Sequence, residues 1–488
     1  MKIPSFRLRA IGVALAVSML GACDLAPKDA RPTLPPVEAY KEIGDWALAQ
    51  PGGGLPPDQW WQAFNDPSLN KLEERATQAN QDIQVAMARF DEARADARVA
   101  QADYYPTVDA TGSATRNHLS ATVANPARNR TFKQYETGFD LNYEIDVWGR
   151  VRNEVRAGKF RADASADDLA AVELRIHAEL AIDYFMLGGY DLEQNILDDT
   201  VRNYQKFLDL TQARVQVGYA RKGDVSTAQA QLEGARTQAT EMRLKRANLE
   251  HAIAILTGAP PSNLSLPARP LDVEPPAIAV DLPSQLLERR PDIAAAEDRV
   301  AAANADIGVA RAAFFPTFNL TALFGFESAA AGKVFNAPSE AWSFGPTALL
   351  NIFDGGRRKA GTEKARAGHA EAVASYRQTV LNAFGEVEDN LSSLNRLSQE
   401  AQTQHAAVVA ATESTRHATD LYAGGLQSNF NVVEAQNIEL SARLADADIK
   451  TRRMTSSVLL IKALGGGWRQ SNSGNVPGAD AVGQVRSN

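Results

Sequence analysis

Of the 488 residues only one, Cys23, carries a thiol. A lone cysteine closes no internal disulfide, and a thiolate zinc site needs at least two, so neither usual structural role is open to it. It follows Leu20-Gly21-Ala22 directly, at the end of an apolar run that begins at Ile11. That placement points to chemistry on the sulfur itself. Other reactive groupings are scarce. The histidines, His118, His177, His251, His369, His405 and His417, are scattered without metal-ligand spacing. There is no Gly-x-Ser-x-Gly elbow, and neither Gly52-Gly53-Gly54 nor Gly465-Gly466-Gly467 leads into a phosphate-binding lysine motif. No catalytic residue, metal or cofactor is expected, and the chain does not read as an enzyme.

The elements around Cys23 say what its chemistry is for. Lys2, Arg7 and Arg9 form a basic start, and Ile11 to Leu20 is an apolar run of 10 residues. That suits the core of an export signal and is too short for a transmembrane helix, which takes about 20 residues. Leu20-Gly21-Ala22-Cys23 is similar to the bacterial lipobox, in which the cysteine sulfur takes a diacylglyceryl group and becomes the new N-terminus. Each buried acyl methylene contributes about 0.8 kcal/mol, so several chains on Cys23 would hold the protein at a membrane. Loss of residues 1–22 takes the formal charge from −8 to −11. A chain so acidic is not expected to bind nucleic acid. A hydrophobic fraction of 44% without long apolar runs does not fit a bundle of membrane helices. Any crossing of a membrane falls to strands.

The chain also matches itself. Asp82/Asp292, Arg89/Arg299, Asp96/Asp306, Val99/Val309 and Pro106/Pro316 coincide at an offset of 210 residues. Gly149-Arg150 and Gly356-Arg357 coincide at 207, as do the segments starting at Asp224 and Asn431. A tandem duplication is expected, joined through the proline-rich stretch from Pro260 to Pro291. Residues 1–22 read as the signal peptide and 23–66 as an extended segment. The first repeat is 67–259 with a hairpin at 106–147, the linker 260–283, the second repeat 284–465 with a hairpin at 316–353, and 466–488 a flexible tail.

In each repeat a helical pattern (68–104, and about 284–314) leads into alternation of period two. Tyr135, Phe139, Leu141, Tyr143, Ile145 and Val147 share one face of a strand, and Gln134, Glu136, Asp140, Asn142, Glu144 and Asp146 the other. Phe318, Leu320, Ala322, Phe324 and Phe326 form an apolar face, as do Trp342, Phe344, Ala348, Leu350 and Ile352. Four strands of about 10 to 14 residues are the length that crosses a bilayer when tilted. Proline-free stretches from Val151 to Val217 and from Arg358 to Ala423 each allow a helix about 100 Å long, turning near Gly218 and Gly425. Return helices from about Val225 to Leu256 and Val432 to Leu464 are half as long, so a return helix stacked on a leading helix matches one long helix. Four strands cannot close a barrel, and open edges in lipid leave backbone groups unpaired, so several copies must combine.

Taken together, the lipobox, Trp60-Trp61-x-x-Phe64-x-Asp66-Pro67, the strand ends Tyr143-Glu-Ile-Asp-Val-Trp-Gly-Arg150 and Asn351-Ile-Phe-Asp-Gly-Gly-Arg357, and the paired turns at Gly218 and Gly425 resemble the TolC-like outer-membrane efflux proteins, in the lipoprotein branch that serves resistance-nodulation-division pumps. The resemblance spans residues 20 to about 466. It implies mixed α and transmembrane β structure: a homotrimer with a 12-stranded barrel continued by a periplasmic α-helical barrel. It implies an outer-membrane location, lipid anchoring at Cys23, and partnership with a periplasmic adaptor and an inner-membrane pump. A type I protein-secretion duct is the alternative within the family. The gate would lie at the turns: Gly218, Arg221, Asp224, Gly425, Gln427, Asn431 and Glu434, with Lys222 beside them. Asn431 stands where an aspartate is common and Gln427 where an arginine is, which implies a hydrogen-bonded closure. Glu136, Asp140, Glu144 and Asp146 would line the barrel and favour cations. Trp148 and Trp342 would sit at the membrane interface.

Overall fold

The computed structural model describes residues 24–28, 32–33, 39–43, 59–120, 122, 131–276, 278 and 289–468. The signal segment and Cys23 lie outside the described residues, as does the tail beyond 468. The chain divides into two compact units, one built from parts of 1–33, 89–165 and 295–377, the other from parts of 34–88, 166–294 and 378–488.

The first unit holds the sheet. Strands β1 (Thr107–His118), β2 (Thr131–Ile145), β3 (Thr317–Ser328) and β4 (Glu340–Leu349) pair in the order β1-β2-β3-β4, every neighbour antiparallel. Pro106 and Pro316 precede β1 and β3, where a missing N–H costs no ladder bond. Register sorts the side chains. Across one face run Val108, Leu141, Ala322 and Phe344, and beside them Ala110, Phe139, Phe324 and Trp342. Phe139, Phe324, Trp342 and Phe344 are each more than half exposed. An apolar patch of this size on an exposed sheet marks a surface that meets something other than water. Leu350 and Ile352, expected within the last strand, lie beyond its end at Leu349 because β3 supplies no partner past Thr317.

The second unit is helical. Asp66 opens α1 (Pro67–Ala79) by accepting from the N–H groups of Ser68 and Leu69. The continuous helix expected over 68–104 is instead broken at Asn80, and α2 (Gln81–Ala102) starts anew. The physical reason is the Asn80 amide. Its Oδ1 accepts from the N–H groups of Asp82 and Ile83, at 2.9 and 3.1 Å, while its Nδ2 donates to the carbonyl of Leu256 at 2.8 Å. One side chain thus caps the start of α2 and the end of α4 (Lys222–Leu256). Before α5 (Pro291–Ala312), Arg290 serves the end of another helix: its guanidinium donates to the carbonyl of Ala463, which ends α7 (Asn429–Ala463), and pairs with Asp292 and Glu386.

The long helices α3 (Arg150–Gln216) and α6 (Arg357–Ala423) have 67 residues each, and α4 and α7 have 35 each. Both units draw on α3 and α6. Between residues 260 and 276 the proline-rich segment carries one short 3-10 turn, at Pro261–Asn263. Arg246 and Glu250 of α4 bond the Leu266 carbonyl and N–H, and the N–H of Leu271 donates to the Gly188 carbonyl.

Where α1 packs on α3, Glu73 is fully buried and its carboxyl lies 2.7 Å from His177 Nδ1. Burial holds the Glu73 carboxyl protonated well above its ordinary 4.5 and pushes the His177 imidazole down to about 4. The two shifts act on stability in opposite directions. The unfolded carboxyl ionises above 4.5 while the buried one still holds its proton, so Glu73 contributes stability that is lost as pH rises past 4.5; the unfolded imidazole takes up a proton below 6.5 that the buried ring refuses down to about 4, so His177 contributes stability that is lost as pH falls below 6.5. Glu73→Gln, which cannot ionise, is expected to remove the first contribution and give a thermal midpoint that climbs more steeply with pH above 4.5; an unchanged profile would show that the carboxyl does not hold the proton.

Candidate functional site

The polar face of the sheet is built by alternation in β2 and completed by its neighbours. Glu136 faces Ser113 on one side and Glu327 on the other, and Asp140 faces Asp109. Thr111 Oγ1 donates to Asp140 at 3.0 Å and Ser113 Oγ to Glu136 at 3.3 Å; Gln134 Nε2 bridges Glu136 and Glu327. Four carboxylates on one face, softened only by hydroxyl and amide donors, make a surface that attracts cations. Asp109 and Glu327 were not among the expected lining residues. The alternation in β3 puts Glu327 opposite its apolar face, a signal available beforehand; Asp109 needed the register.

Two of the expected lining acids are engaged by arginines near the start of α3. Asp146 lies just past the end of β2, and its carboxylate accepts from the N–H groups of Val151 and Arg152 and pairs with Arg152 at 3.1 Å. It caps α3 rather than lining a strand. Glu144 remains in β2, but Arg150 Nε and Nη2 each reach it at 2.8 Å, and Arg150 Nη1 also holds Glu154. Its charge is neutralised locally. Trp148 stacks on Phe315, ring centroids 4.6 Å apart, and its Nε1 donates to the Pro316 carbonyl at 2.8 Å, so it brackets the exit of β2 to the entrance of β3. Trp342 is 72% exposed on the apolar face.

At the turns, Gly218 and Gly425 have φ of +80° and +78°, the left-handed conformation that ends a helix. Asp224 accepts from the N–H of Arg221 at 2.9 Å and so caps α4; Arg221 and Lys222 are exposed. Gln427 is half-buried, and Asn431 and Glu434 are exposed on α7. The bonds that join the two turns come from other residues. Arg214, near the end of α3, donates through Nη1 to the carbonyls of Tyr422 and Ala423 and lies 4.6 Å over the Tyr422 ring. Asn429 Nδ2 donates to the Asp224 carbonyl at 3.2 Å. Beneath them Tyr204, Phe207, Leu208, Leu232, Tyr422 and Val432 form a buried cluster. A guanidinium on the last carbonyls of α6 also complements the negative end of that helix.

Comparison with known proteins decides what this arrangement belongs to. A model of the outer membrane efflux protein family matches residues 72–259 and 282–466. The chain belongs to the outer membrane efflux protein family. It is 32% identical over 464 residues to the probable efflux pump outer membrane protein TtgC of Pseudomonas putida, covering 94% of this chain and 95% of that one. It is 28% identical to the probable outer membrane lipoprotein SilC of Salmonella typhimurium, covering 95% of this chain and 99% of SilC. Its structure superposes on the outer-membrane channel OprN with a TM-score of 0.85 at 28% identity, covering 92% of this chain and all of that one.

In this efflux protein, no helix among the described residues is long and apolar enough to cross a membrane, and no cluster of three ligating side chains there could hold a metal ion. The residues after Cys23 are tied down: Asp24 accepts from Asn153 and Arg156, each at 2.9 Å, and Arg311 and Asn304 donate to the carbonyls of Leu25 and Pro27. Against the upward push of its partial desolvation, the bonds from Asn153, the Ala26 N–H and Arg156 hold the Asp24 carboxyl down at about 2.

Proposed function

We propose that three copies of this chain close a 12-stranded barrel from their four-stranded sheets, and that the helices continue it as a periplasmic duct. The protein is the outer-membrane channel component of an efflux system, passing substrates that an inner-membrane pump and its periplasmic adaptor deliver. The observation that carries the barrel is the sheet itself: one exposed apolar face, one carboxylate-lined face, and two open edges on β1 and β4. In lipid those edges must pair, and only another copy offers matching strands. The equal lengths of the paired helices support a duplicated chain whose six turns, two per copy, ring the periplasmic end.

Conduction requires no active site, and the pump supplies the energy. The carboxylates of Glu136, Asp140, Asp109 and Glu327 would bias the barrel toward cations. Relatives named as efflux-pump proteins favour this role over a protein-secretion duct. Cys23 would carry the lipid anchor, a reading the name of SilC supports. Native mass measurement in detergent tests both points. Three chain masses plus acyl mass on Cys23 are expected; a folded monomer would overturn the barrel, and an unmodified Cys23 the anchor.

A further inference from the structure

The strand registers fix how one copy should meet the next. Each of the ten β3–β4 pairs, from Thr317↔Leu349 to Phe326↔Glu340, is the image of a β1–β2 pair, moved by 210 residues on the first strand and 207 on the second. Thr107↔Asn142 thus becomes Thr317↔Leu349, and Arg116↔Lys133 becomes Phe326↔Glu340. The β2–β3 junction has no such image among the described residues, where the sheet ends at β4. Its image would join β4 of one copy to β1 of the next.

We propose that this seam carries the β2–β3 register, so that Thr347 of one copy lies opposite Ser113 of its neighbour, Phe344 opposite Arg116, and Leu350 opposite Ala110. The proposal rests on the trimeric barrel and adds its register. Three observations support it. First, the faces agree: β4's apolar Phe344 and Ala348 fall on the side of Val108 and Ala110, while Ser343 and Thr347 fall on the side of Thr111 and Ser113. A slip of one residue would put every β4 side chain on the wrong face. Second, β2 extends to Ile145 because β3 partners it there through Phe318, although its ladder with β1 stops at the pair Thr107↔Asn142. The same register gives Leu350 and Ile352 partners in Ala110 and Val108 of the neighbour and lengthens β4 to match β2. Third, Ile352 and Leu349 are 89% and 71% exposed in the single chain, as expected for residues awaiting that neighbour.

Paired cysteines test the register, since the only native one is Cys23. Ser113→Cys with Thr347→Cys, and separately Ala110→Cys with Leu350→Cys, sample both faces; Ser113→Cys with Leu349→Cys and with Gly345→Cys are the two-residue slips. Under a short thiol cross-linker, full-length protein in detergent should give covalent dimer and trimer bands for the first two variants and mostly single chains for the slips. Preferential linking in a slipped variant would overturn the register and leave the trimer standing. No linking in any variant, in protein of three chain masses, would overturn a strand seam. Protein of one chain mass would instead sink the barrel reading itself.

Discussion

Arg214→Ala is expected to raise the conductance of the protein in planar bilayers, by opening its turn-bearing end. The guanidinium bonds the last two carbonyls of α6 and lies over the Tyr422 ring, so removing it frees the α6 terminus from α3 in every copy. A charge-assisted hydrogen bond contributes about 1.5–3 kcal/mol, which shifts the closed-to-open ratio by about 10- to 100-fold per chain. Arg214→Lys keeps the charge but not the fork, and should fall between. Glu434→Ala should behave differently. Glu434 is exposed and joins no bond between the turns, so its loss should weaken block by divalent cations without opening the closed state. Unchanged conductance in an intact Arg214→Ala trimer would mean that the constriction does not depend on this bond.

Gly465→Ala should prevent assembly outright. At φ +89° the backbone is in the left-handed region, and an added Cβ would stand 1.9 Å from the carbonyl oxygen of Arg289. The conformation alone costs about 1–2 kcal/mol, and the overlap forces the end of α7 away from the segment before α5. The Arg290 bond to Ala463 would go with it. Gly258→Ala meets the Ala79 carbonyl at 2.3 Å with φ +68° and should fail in the same way. Gly234 sits in the interior of α4 with nothing within 4 Å of its would-be Cβ, so Gly234→Ala should be neutral or add about 0.5–1 kcal/mol. Yield of detergent-resistant oligomer reads all three; normal yield from Gly465→Ala would show that this junction yields without cost.

Much of the molecule was legible in the sequence because the signals are local and periodic. Alternation of period two assigns Glu136 and Asp140 to one face of β2 and Phe139 and Leu141 to the other before any partner strand is known. Left-handed turns leave glycine as their mark, so Gly218 and Gly425 located the helix ends to within a few residues. The offsets of 210 and 207 were visible as identities and reappear in the strand registers. What only the tertiary structure decided are the polar side chains whose partners lie far along the chain. Arg214 reads as one more charge on a long helix until α6, 208 residues away, brings the Tyr422 carbonyl to it. Asn80 reads as a helical residue until the Leu256 carbonyl, 176 residues on, accepts its amide. Asp146 continues the alternation of β2 in sequence, yet the strand ends first and its carboxylate turns to α3. Periodicity records which face a residue is on; a hydrogen bond depends on which other element arrives there, and that is set by packing.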